Sequence, residues 1–329
     1  MNRKFVTEFC LSYMNSFTTM ISAQELLSNG ELTPEQSEMV SRCNIYIIAA
    51  RPMPYFKPET IKHENNQLSG VLAWRVDGKE NQMEFNNYKW ILEDDAIKID
   101  CQYPNREIIS RNEIGSEVTR VSSSFLASYF SKKLFDSCHE LNDYEVLYIG
   151  QALGKQGNRT AYERLKSHST LQKILAQVGY KYPDKEIMIY MYEFNNAQMY
   201  TSIDGRAENA DNSPKNEARL IHAIKNPPSK SQKIGLIEAG LIRYFQPEYN
   251  EHFKIAFPST KHRVLQSCRN LDVTGLAIEI DCTDMIYSLY SPTVRTNDHH
   301  LAQIDLVSES ERLSFFFPTG FTNNPEVIK

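Results

Sequence analysis

At 329 residues, with 41% hydrophobic and 23% charged side chains, the chain is long for one domain, comfortable for two, and of ordinary composition for a folded protein. No apolar run approaches the roughly 20 residues that cross a bilayer, and Glu8 interrupts any apolar leader behind Arg3 and Lys4, so neither a membrane span nor export is expected. The net charge of −5 divides into −3 over residues 1–139, +1 over 140–258 and −3 over 259–329, which nowhere reaches the strongly basic balance of a high-affinity nucleic-acid-binding domain.

Residues 5–28 carry Phe5, Phe9, Tyr13, Phe17 and Ile21 at roughly helical spacing and are predicted to form a helix. Thr33-Pro34-Glu35 predicts a helix start, with Thr as cap and Pro at the first helical position. Residues 44–50 are a short β-type run, ended by prolines at 52, 54 and 58. Residues 68–109 favour strands, with a turn at Asp77-Gly78 and a solvated turn at Glu93-Asp94-Asp95. Residues 122–141 return to helical spacing, with Phe125, Leu126, Tyr129, Phe130, Leu134 and Cys138 on one side. The first 121 residues thus read as an N-terminal mixed α/β module that sets a target or binds a partner.

Residues 145–149 are predicted as a strand, 150–157 as a glycine-containing loop, 160–178 as a helix and 186–194 as a continuous apolar strand. Residues 195–213 are polar and poor in aliphatics, and read as a long exposed loop. Helices follow near 215–225 and 230–245, separated by Asn226-Pro227-Pro228. After Pro258 come strands near 275–280, 285–289 and 302–307, read as a small sheet that ends in a tail. The expected organisation is an α/β (α+β) chain with a central domain over 122–258 and a C-terminal β-rich extension over 259–329. The six cysteines are scattered, with no Cys-x-x-Cys pair, which points to reduced thiols in a cytoplasmic protein.

Chemistry concentrates in the central segment. Glu238 stands in Leu236-Ile237-Glu238-Ala239-Gly240-Leu241-Ile242, and a carboxylate on a mostly apolar helix face is costly to bury unless paired or metal-bound. Arg164 and His168 are four apart on the predicted helix and share a face, and a guanidinium fork suits phosphate oxygens. By itself each of these reads as a solvated surface face. Their order is informative: Tyr148-Ile149-Gly150 closing a strand, then Arg164-Leu165-Lys166-Ser167-His168, an apolar strand, Glu238 with Leu241-Ile242, and Pro247-Glu248-Tyr249-Asn250.

In that order the blocks of residues 144–254 resemble the GIY-YIG nuclease superfamily. The resemblance implies a small mixed sheet flanked by helices and a metal-dependent endonuclease that hydrolyses nucleic-acid phosphodiester bonds. It implies that Glu238 holds a divalent metal (Mg2+ or Mn2+), that Arg164 contacts the phosphate, and that tyrosines on the first two strands help activate water. Tyr148, Arg164, His168, Glu238 and Asn250 match by position, with Gly150, Lys155 and Lys166 as the accompanying substrate contacts. Between Tyr148 and His168 as the proton acceptor, the strand position favours Tyr148. The expected partner is nucleic acid, DNA in preference to RNA, in a restriction, homing or anti-phage setting.

One departure stands out. The family's first strand, ending in Gly-Ile-Tyr, belongs about ten residues before Tyr148, where Leu134-Phe135-Asp136-Ser137-Cys138-His139 has neither glycine nor tyrosine. Either that strand comes from elsewhere or it has been lost; Asn44-Ile45-Tyr46 and Tyr144 are the segments that could replace it. With the tyrosine lost, the domain would only bind nucleic acid or serve as a protein-interaction scaffold. Gly150 to Lys155 resembles a Walker A loop but is one residue short, with Gln156 where Ser or Thr would hold magnesium. His299-His300 reads as a surface pair without further metal ligands nearby.

Overall fold

The computed structural model describes residues 3–28, 32–93, 95–130, 139–152, 161–204, 209–259, 262–308, 312–316 and 327–328. The architecture is mixed α/β. Residues 5–28 do not form the expected helix. They make strands β1 (Thr7–Met14) and β2 (Phe17–Ser22), then the short helix α1 (Ala23–Leu27). A spacing of four is also a multiple of the strand period of two, so Phe9 and Tyr13 share a face in either conformation, and the Phe, Tyr and Thr content of the segment favours the strand. Helix α2 (Pro34–Arg42) starts as expected, on a Thr33 cap that exchanges hydrogen bonds with Gln36. Strand β3 (Ile45–Pro52) follows, buried along nearly its whole length.

A β-rich insertion comes next. Strands β4 (Tyr55–Phe56), β5 (Lys62–Glu64), β6 (Gln67–Val76) and β7 (Lys79–Lys89) form one antiparallel sheet, and β8 (Lys98–Asp100), β9 (Glu107–Arg111) and β10 (Glu117–Ser122) another. Asn65-Asn66 and Asp77-Gly78 join β5, β6 and β7 by two-residue turns. All four residues have positive φ, the type I′ conformation that Asn, Asp and Gly adopt most readily. Phe56, Trp74, Phe85 and Leu126 of helix α3 (Ser123–Tyr129) belong to the insertion's own core. Leu134 and Cys138, expected on that helix, lie outside the described residues.

The remaining elements are β11 (Asp143–Gln151), α4 (Ala161–Lys166), α5 (Ser169–Lys181), β12 (Lys185–Glu193), β13 (Asn196–Ile203), α6 (Pro214–Lys225), α7 (Lys230–Phe245), α8 (Gln266–Asn270), β14 (Gly275–Asp281), β15 (Ser288–Ser291), β16 (Val294–Asn297), β17 (His299–Asp305) and β18 (Val327–Ile328). Two expectations change here. The single helix over 160–178 is two helices, because His168 caps the start of α5. The loop over 195–213 contains β13, which is polar because it is an exposed strand paired on one side only, with β1.

Two large sheets organise these pieces. One has the order β16-β15-β11-β3-β12-β2, with β3 antiparallel to both β11 and β12; the other has the order β13-β1-β14-β17-β18. Helix α7 packs between them: Leu236, Ile237 and Leu241 share a core with Ile47 and Ile149 of the first sheet and Leu276 and Ile304 of the second. A Cβ on Gly240 would collide with Ile278, so this glycine is what lets α7 approach the second sheet. The opposite face of the first sheet is covered by α1, α2, α4 and α5. No helix among the described residues is long and apolar enough to cross a membrane. Cys10, Cys43, Cys101, Cys268 and Cys282 carry free thiols.

The boundaries expected at 121 and 258 do not coincide with sheet boundaries. β1, β2 and β3 of the N-terminal segment pair with β13, β12 and β11 of the central one, and β15 of the C-terminal segment pairs with β11. A fragment beginning at Ser122 would therefore lack the strand between β11 and β12. We expect it to aggregate or to melt without a cooperative transition. A monodisperse fragment with a sharp thermal midpoint would contradict this pairing.

His300 is not one of a surface pair. It is 2% exposed rather than on the surface. Its Nδ1 lies 3.2 Å from the Tyr244 hydroxyl, and its Nε2 is 3.1 Å and 2.9 Å from the Leu289 and Asn297 carbonyls. Burial pushes its pKa down to about 4, so the ring is a neutral core group.

Candidate active site

β11 changes the face it presents partway along. Its pairing with β3 slips between Val146 and Tyr148, a β-bulge at Leu147. Before the bulge, Tyr144 and Val146 point into the core beneath α7; after it, Tyr148 and Gly150 lie on the opposite face, over Ile48 and Tyr46. Tyr144 therefore does not share a face with Tyr148. It is fully buried on the other side, where the Arg51 guanidinium donates to its hydroxyl at 2.6 Å. Tyr46 is the tyrosine that faces Tyr148, with ring centroids 6.2 Å apart.

Gly150 makes this approach feasible. A Cβ there would lie 2.5 Å from both Cζ and the hydroxyl of Tyr46 and 2.9 Å from the Tyr148 ring. Tyr46 is fully buried, whereas Tyr148 is only partly so. His168 sits beside both rings, at centroid distances of 5.9 Å and 5.4 Å. Its Nδ1 accepts the Leu171 backbone N–H at 3.3 Å, so the neutral ring carries its proton on Nε2, which is 3.4 Å from the Tyr46 hydroxyl. The histidine is thus both the cap of α5 and a donor to Tyr46.

Arg164 projects from α4, hydrogen-bonds to Tyr46 and supplies an opposing charge to Glu238. Glu238, on α7, reaches the same end of the sheet, where the backbone and side chain of Gln151 hydrogen-bond to its carboxylate. Burial still outweighs these partners and pushes the Glu238 pKa up to about 7. The Tyr148 phenol is also held above its ordinary range, first by burial and then by the Glu238 charge; Arg164 and the hydrogen bond with Tyr46 pull it back. Tyr46 is raised as well, chiefly by burial.

Asn250 stands behind this surface. β15 pairs with β11 only as far as Glu145, which leaves the next stretch of that β11 edge to be satisfied otherwise. The Tyr249 N–H donates to the Leu147 carbonyl at 3.0 Å. The Asn250 side chain accepts the Ile149 N–H at 2.9 Å and donates to the Ile149 carbonyl at 2.8 Å. It replaces a missing strand and holds the residues flanking Tyr148 and Gly150. Asn250→Ala would leave two buried backbone groups unpaired, and we expect a loss of about 2–4 kcal/mol, read as a lower thermal midpoint. A midpoint within a degree of wild type would show that the bridge contributes little.

Of the other expected contacts, Lys166 is exposed, with its ammonium 4.7 Å from the Tyr162 ring centroid. Lys155 lies outside the described residues. Tyr148, Gly150, Arg164, His168 and Glu238 thus converge, Asn250 braces them, and Tyr46 and Gln151 are residues the motif order did not single out. Gln151 carried no signal beyond following Gly150, whereas Tyr46 carried one in its β-type surroundings. No protein-family model, no curated protein and no solved structure matches this chain.

Proposed function

We propose that the chain is a GIY-YIG-type endonuclease that hydrolyses nucleic-acid phosphodiester bonds, with DNA in preference to RNA, using Mg2+ or Mn2+. The observation that carries this reading is the meeting of Tyr46, Tyr148, Arg164, His168 and Glu238 at one end of the six-stranded sheet. The pairing of β3 with β11 supplies a tyrosine beside Tyr148 that the neighbouring sequence lacks.

Glu238 fits a hard divalent cation. Its carboxylate is under-compensated by Arg164 and Gln151, as its raised pKa shows. Among the described residues no group of three or more His, Cys, Asp or Glu is placed to chelate an ion. Glu238 would be the protein carboxylate, with water and phosphate oxygens filling the other positions, an arrangement common for Mg2+. When bound, the ion would neutralise charge building on the phosphate.

The chain's own groups divide the remaining work. Arg164 binds non-bridging phosphate oxygens through its forked donors. Tyr148, partly exposed, is the phenol a water can reach; as the phenolate it takes the proton of the attacking water and returns to the neutral phenol. Tyr46, buried behind it, stabilises that phenolate before the transfer by donating its hydroxyl. His168 and Arg164 in turn direct N–H groups at the Tyr46 oxygen. The test is cleavage of plasmid and single-stranded substrates with added Mg2+ or Mn2+. Binding without turnover would favour a nucleic-acid-binding module, for which the raised tyrosine pKa values are the supporting observation; neither binding nor turnover would leave an interaction scaffold.

A further inference from the structure

The same end of the six-stranded sheet carries a second concavity. β3 starts, and β11 and β12 end, at that end of the sheet. The tyrosines sit at the β11–β3 side. At the β3–β12 side a cavity of about 550 Å3 opens between these strands and the first turns of α7, with Arg42, Asn44, Glu193, Asn195, Lys230 and Lys233 on its walls.

The charges in this cavity do not balance. Glu193 is the one carboxylate among the lining residues, and both its oxygens are engaged, by Arg42 Nη2 at 2.7 Å and Asn195 Nδ2 at 2.6 Å. Lys233 donates to the Phe194 carbonyl at 2.7 Å, which fixes its ammonium against the cavity wall. Among the described residues neither Lys230 nor Lys233 makes an ion pair. Burial and the neighbouring Lys230 charge hold the Lys233 pKa below its ordinary range, against the opposing pull of Glu193. Two uncompensated cations in a concave wall attract an anion.

The placement says which anion. Lys230, Ile234 and Glu238 are successive positions four apart on α7, so Lys230 lies on the face of Glu238, about 12 Å along the axis, and Lys233 about 7.5 Å, at 1.5 Å per residue. Asn44, on the cavity wall, exchanges hydrogen bonds with Ala152, next to the Gln151 that binds Glu238. We propose that this cavity seats a backbone phosphate of the strand being cut, a few nucleotides from the scissile phosphate. This rests on the phosphodiesterase reading above. A strand laid along the sheet end would meet Arg164 and Glu238 first and the lysine pair next, and binding at both points would fix its polarity across Tyr148.

The experiment is fluorescence-anisotropy binding of a labelled DNA oligonucleotide to the full chain across a salt series, without divalent metal. Lys230→Gln/Lys233→Gln is expected to weaken binding by roughly three- to tenfold at moderate salt and to lower the slope of log affinity against log salt by about 1–2. Lys230→Glu alone, at an exposed position, is expected to act in the same direction and covers the case in which loss of the Lys233–Phe194 bond disturbs the fold. Unchanged affinity and slope in both variants, with wild type binding normally, would overturn the cavity proposal and leave the nuclease reading standing. Failure of wild type to bind the oligonucleotide at low salt would overturn both.

Discussion

Replacing Glu238 by glutamine is expected to reduce Mg2+- or Mn2+-dependent cleavage by about a thousandfold or more while nucleic-acid binding survives, because the shape of the side chain is kept and its charge is lost. Cleavage at the wild-type rate would sink the proposed function. The same variant has a second signature that does not depend on activity. Glu238 is raised from near 4.5 to about 7 in the folded chain, so the folded state holds a proton that the unfolded state releases between those values. Its contribution to stability is present below about pH 4.5 and is lost as pH rises through 7. Glutamine stays neutral throughout. Without metal, Glu238→Gln should therefore gain about 3 kcal/mol relative to wild type on going from pH 4 to pH 8. Denaturant midpoints at the two pH values measure this, and equal differences at both would mean that Glu238 is not held in the uncompensated environment described. Added Mn2+ should reverse the trend for wild type alone, since it binds the deprotonated carboxylate.

Removing the Tyr148 hydroxyl is expected to cost about 100-fold or more in cleavage rate, the scale of a lost general base. Tyr46→Phe tests how that base is tuned. The Tyr46 hydrogen bond lowers the Tyr148 pKa, so removing it raises that pKa. The rate–pH profile of Tyr46→Phe should then keep its rising limb but move it to higher pH, with rates converging on wild type in alkali. A uniform loss at every pH would assign Tyr46 to packing alone. Full activity in Tyr148→Phe would transfer the role elsewhere. His168 is the weaker candidate, because its Nδ1 lone pair is occupied by the Leu171 N–H.

Elements whose signals lie within one turn or one strand were legible from the residues. Thr33 with Gln36 starts α2, Asp77-Gly78 turns β6 into β7, and the prolines at 227 and 228 separate α6 from α7. Caps and type I′ turns act through contacts a few residues apart, so their chemistry is written locally. Residues 5–28 carry an ambiguous signal because a spacing of four satisfies helix and strand alike, and only the neighbours β12, β13 and β14 decide between them. The candidate site divides in the same way. Tyr148, Gly150, Arg164, Glu238 and Asn250 could be named from short blocks in a fixed order.

That Tyr46 rather than Tyr144 belongs beside Gly150 could not be read, because about ninety residues separate β3 from β11. Loop closure costs only about 0.6 kcal/mol more for each doubling of length, so strand pairing tolerates an insertion of that size and leaves no mark of it on either strand. Nor could the phase of Tyr144 be read, since one extra residue at Leu147 moves everything before it to the opposite face. Sequence by itself determined which groups are available for chemistry and which local elements carry them. Tertiary structure alone decided which tyrosine stands beside Tyr148, because strand pairing and register are set by burial against distant partners and not by the neighbours in the chain.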